Sequence, residues 1–139
     1  MKFIKLLMII TFWGSITNAQ KVVKVEIHSI PLLLETDSDI RCDENLDSNF
    51  PNDIIIKKIV EQTILKKIRK LLLGFESSNE KSIDVRGYLL IIYESDKSRK
   101  ICFNRFGDFY EFGRYSTNRT LFDFLKMNNL IEKNRTKAK

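Results

Sequence analysis

A chain of 139 residues that is 43% apolar, with only five glycines and two prolines, is long enough to bury one core and shows no repeat or low-complexity region. Its formal net charge of +6 is mild, and falls to about +4 without the two lysines of residues 1–19. That excess carries no nucleic-acid signature.

Residues 1–19, MKFIKLLMIITFWGSITNA, have lysines at 2 and 5, an apolar run from Leu6 to Trp13 and small or polar residues up to Ala19. This is the layout of a secretory signal, with Thr17 and Ala19 at the two small positions required for cleavage between Ala19 and Gln20. The run is too short to span a bilayer comfortably, so export to a periplasm or the exterior without a stable membrane anchor is expected.

In Lys21 to Ile30 the apolar Val23, Val25 and Ile27 alternate with Lys24, Glu26 and His28, the period of a half-buried strand, which Pro31 ends. Glu35 to Asn52 is acidic and rich in turn formers and reads as a long connection over the surface. Asn52 to Gly74 then reads as one long amphipathic helix. Ile56, Val60, Ile64, Ile68, Leu71 or Leu72 and Phe75 form its stripe, Asn52 or Asp53 caps it, a left-handed Gly74 stops it, and Lys66, Lys67, Arg69 and Lys70 crowd its last turns. The acidic connection and the basic helix are expected to neutralise each other within the fold.

Ile83 to Tyr93 is the strongest strand candidate, apolar on both faces, with Gly87 marking a bulge or a close backbone approach. Arg99 to Arg105 follows, and Phe106-Gly107-Asp108 reverses the chain into Phe109 to Tyr115. Asn118 or Thr120 caps a short helix from Leu121 to Leu130, and Glu132 to Lys139 is a basic tail expected to be frayed and disordered. The order strand, long helix, three-stranded meander, short helix predicts one α+β domain over residues 20–131. Its long helix is expected to pack on one face of an antiparallel sheet.

Cys42 and Cys102, the only cysteines, are expected to form a disulfide in an exported chain. No base is placed to activate a cysteine nucleophile, and the single His28 lacks the companions of a triad or a zinc site, so it reads as solvent-facing or capping. Asp37-Ser38-Asp39 begins like a calcium loop, but Cys42 stands where glycine is needed and Ser48 where a bidentate glutamate belongs. No cofactor, metal or catalytic constellation emerges. The meander is rich in aromatic residues interleaved with arginines, the composition of protein-binding hot spots. Tyr88, Arg99, Phe103, Arg105, Tyr110, Phe112 and Arg114 are the candidate surface.

The reading favoured by these residues is a non-enzymatic domain that binds another protein, in the manner of inhibitors or immunity-type proteins. Two alternatives belong to other classes. One is a hydrolase using carboxylates of residues 35–53, and the other is an electrostatic binder of anionic polymer or membrane through Lys66, Lys67 and Lys70.

Overall fold

A computed structural model describes residues 20–131; the signal segment and the basic tail read from the sequence lie outside the described residues. Seven strands form one antiparallel sheet: β1 (Val22–Ser29), β2 (Ile55–Ile59), β3 (Glu76–Ser77), β4 (Gly87–Tyr93), β5 (Ser98–Phe103), β6 (Asp108–Glu111) and β7 (Arg114–Thr117). Their spatial order is β2-β1-β4-β5-β6-β7-β3. Three helices accompany them, α1 (Leu46–Asn49), α2 (Gln62–Leu71) and α3 (Arg119–Met127). The expected α+β class is observed; the 23-residue helix is not.

The first part of that helix is strand β2, with Val25 opposite Ile59 and His28 opposite Ile56 in β1. Ile54, Ile55, Ile56, Ile59 and Val60 are β-branched, which disfavours helix and suits a pleated surface, and pairing with β1 decides the outcome. The stripe drawn from Ile56 through Val60 therefore dissolves. Ile56 is 44% and Val60 64% exposed, whereas Ile68 and Leu71 of the expected stripe are buried with Leu65 in the helix that follows. Its end is not the left-handed glycine expected. The Asn118 side chain donates to the Leu71 carbonyl (2.7 Å) and accepts from the Leu121 N–H (3.0 Å), so one buried amide satisfies the end of α2 and the start of α3.

On one face of the sheet Val25, Ile27, Leu89, Ile91, Ile101, Phe103 and Phe109 join Leu65, Ile68 and Leu71 of α2 and Leu121, Phe122 and Leu125 of α3 in a single core. A bulge between Val22 and Lys24 puts Val22, rather than the expected Val23, into it. Gly87 is there because of a close approach: a Cβ would lie on the Phe103 ring and 2.6 Å from the His28 carbonyl oxygen.

The opposite face is covered by the acidic connection. Ile40 and Leu46 from the connection pack on Ile30, Val85 and Cys102. The Cys42–Cys102 disulfide forms as expected, with Cα atoms 5.8 Å apart. The meander is four-stranded, because Phe109 to Tyr115 is not one strand but two, β6 and β7, turning at Phe112 and Gly113.

Candidate functional site

The hairpin β6–β7 pairs Tyr110 with Tyr115, and their rings stand 4.9 Å apart on the face that carries the connection. Neighbouring side chains leave this tyrosine pair uncovered on one side. A groove of about 320 Å³ opens over it, walled by Arg41, Cys42 and Asp43 of the connection and by Ser82 and Ile83 of the segment leading into β4. The disulfide fixes one wall to β5, and an Arg41–Asp43 ion pair of 3.2 Å lies on its rim. A half-open groove with aromatic faces and a charged rim can accept one or two side chains of another molecule.

Glu111 opposes Arg114, so Phe112 and Gly113 alone make the turn beside the groove. Both take positive φ, 46° and 78°, as a two-residue hairpin loop that follows the twist of its strands requires. Glycine accepts this freely. Phenylalanine does not, because its Cβ crowds the backbone there. The other non-glycine residues with positive φ among those described are Asp96 and Asn129, types that tolerate it. Phe112 is also 90% exposed, so the strain is not offset by packing.

The other residues of the expected surface are divided by the sheet. Arg114 is exposed on the same hairpin. Arg99 lies on the helix-bearing face, where its Nε donates to Glu111 (2.6 Å) and its guanidinium stands 6.0 Å from the centre of the Phe75 ring. That hydrogen bond, more than the opposing effect of burial, holds its pKa above the usual arginine value. Arg105 is exposed at the far end of β5, over the Phe106 ring. Phe103 is a correction to the expected surface: it is fully buried, in edge contact with Phe122 and tilted against Phe109. Strand alternation puts it with Ile101 in the core. Tyr88 is half-buried on the connection side, with the Lys100 ammonium 4.5 Å above its ring. The structure thus puts Tyr110 and Tyr88 on the connection side, Arg99 and Arg114 on the helix-bearing side and Phe112 at the hairpin tip, and it excludes Phe103 and Arg105.

A polar cluster beneath the connection escaped the sequence reading. His28, expected to face solvent or cap, is 8% exposed and stacks on Tyr88 with ring centres 4.6 Å apart and planes 11° from parallel. Its Nδ1 contacts Asp47 of α1 at 2.8 Å and its Nε2 lies 3.4 Å from Glu26. The Tyr88 hydroxyl donates to the other oxygen of Asp47 (3.3 Å), and burial with the nearby Asp47 charge pushes the phenol up to about 12. The hydrogen bond from Lys24, then that from His28, lowers the Glu26 carboxyl below its ordinary value. Both imidazole nitrogens face carboxylates. The cluster pins the connection to β1 and β4.

The basic residues Lys66, Lys67 and Lys70 are all exposed on α2, away from the groove. Of the connection's carboxylates, Asp47 is held in the polar cluster and Asp43 and Glu44 are drawn to Arg41. Comparison with known protein families, with curated proteins and with solved structures finds no match.

Proposed function

We propose that this chain is a non-enzymatic, exported binding domain that holds another protein at the groove over Tyr110 and Tyr115, with Phe112 as the anchor that enters the partner. The observation that carries the reading is Phe112 itself, a large apolar side chain 90% exposed in a backbone conformation that asparagine or glycine would occupy with less strain. Folding gains nothing from it. Exposed aromatic residues beside arginines supply binding energy when a partner desolvates them, and Phe112 tips the hairpin whose Tyr110 and Tyr115 line the groove with Arg41. The disulfide fits the oxidising compartments to which exported proteins go, and no helix among the described residues is long and apolar enough to cross a membrane.

The test is comparative capture by the tagged domain, with site-specific cross-linking from position 82 in the groove wall. A protein cross-linked by the native chain should be lost from Phe112→Asn and weakened at least about tenfold, the loss typical of a hot spot, in Tyr110→Ala. Equal capture by both variants and the native chain would remove the hairpin from the contact.

A further inference from the structure

Helix α2 exposes Lys66, Lys67, Arg69 and Lys70, and among the described residues no ion pair involves any of them. The acidic connection does not neutralise this helix as the sequence suggested. It lies across the other face of the sheet, where Asp43 and Glu44 pair with Arg41 and Asp47 binds His28 and Tyr88. The two charge blocks are therefore kept apart by the sheet.

Lys66, Lys70 and Leu73 follow one another at spacings of four and three, a single outward row with Arg69 beside it. Leu73, just past the end of the helix, is 86% exposed, and Met127 on α3, the helix that contacts α2, is 72% exposed. At the other end of the row Lys66 and Arg69 share a cleft of about 210 Å³ with Lys21, lined also by Val22, Gln62 and Leu65. Three cations around a small cleft suit a phosphate group, and an exposed leucine at the end of a basic row suits acyl chains rather than a phosphodiester backbone.

We infer that α2 is a docking surface for anionic phospholipid membranes. A lipid phosphate sits among Lys21, Lys66 and Arg69, and Leu73 enters the headgroup boundary. This surface is separate from the groove and does not depend on it.

The test is co-sedimentation of the chain spanning residues 20–139 with vesicles of neutral phosphatidylcholine, alone or with about one third phosphatidylglycerol. The native chain should bind only the anionic vesicles, and about 0.5 M salt should release it. Lys66→Gln with Lys70→Gln should weaken partitioning about 25-fold, at about fivefold per cation near an anionic surface. Leu73→Ser should weaken it further while circular dichroism stays native. Failure to bind anionic vesicles, or unchanged binding by the double variant, would overturn the inference. Equal competition by duplex DNA together with an inert Leu73→Ser would reassign the face to soluble polyanions and overturn it too.

Discussion

The two turns that bound β6 solve the same geometric problem with opposite materials. At one end Asn104, 6% exposed, accepts from the N–H groups of Phe106 and Asp108 at 2.9 Å each and donates to the Asp108 carboxylate at 2.8 Å. Gly107 takes φ 87° where a Cβ would stand 2.9 Å from the Phe122 ring. Every choice there serves packing and hydrogen bonding. At the other end Phe112 occupies the left-handed position and reaches into solvent, while the space beside Gly113 is open to 4 Å. A turn made with asparagine and glycine needs no explanation beyond the fold, whereas one made with an exposed phenylalanine points to a contact outside it.

The largest expected effect concerns the side of the molecule that carries the exposed turn. Replacing Cys42 and Cys102 together by alanine opens a link across 60 residues and should lower unfolding free energy by about 4 kcal/mol, read in denaturant titration. The groove wall should then become susceptible to proteolysis near Arg41 before the helix-bearing core unfolds. A loss below about 1 kcal/mol would mean that the connection is held chiefly by Leu46, Ile40 and the His28 cluster.

Next in size is the folding turn. Asn104→Ala leaves two part-buried N–H groups of the turn without their acceptor and should destabilise by about 1–2 kcal/mol in thermal or chemical unfolding. If that variant is as stable as the native chain, the contrast between the turns loses one of its halves.

A third effect appears only in alkali, vanishes at neutral pH and probes how firmly the connection is held over Tyr88. In the unfolded chain the phenol ionises near its ordinary value of about 10, whereas in the folded chain it stays neutral to about 12. The folded state thus binds the proton more tightly, so its contribution is complete below pH ~10 and is lost as the pH rises from ~10 towards ~12. Tyr88→Phe should flatten that part of the stability profile. An unchanged alkaline slope would show that the connection leaves Tyr88 open to water.

The sequence was legible where one pattern governed one element. Strand β1, the apolar β4, the reversal at Gly107, the Asn118 cap and the disulfide all follow from local rules applied to a few residues. It misled at residues 55–59, where Ile56 and Val60 happen to continue the stripe of α2, and only pairing with β1 reveals a strand. The hairpin tip was missed for a related reason: Phe112 stands where asparagine normally signals the turn, so β6 and β7 read as one strand. Alternation separates Phe103 from Tyr88 and Tyr110, yet composition alone put them on one surface. Contacts such as His28 with Asp47, 19 residues apart and under an irregular cover, have no periodic signature. The groove shares this property, since Arg41, Ile83 and Tyr115 meet only in the folded chain.

The most direct test of the central claim is the thermal midpoint of Phe112→Asn against the native chain at neutral pH. Asparagine accepts the left-handed conformation and precedes Gly113, the pairing preferred in two-residue hairpin loops. Relief of about 1 kcal/mol of backbone strain should raise the midpoint by about 4 °C. That rise, in the variant expected to lose its partner, is what a residue kept for contact rather than for folding predicts. A midpoint several degrees lower would mean that Phe112 stabilises the native hairpin, and the argument for it as a binding anchor would fail.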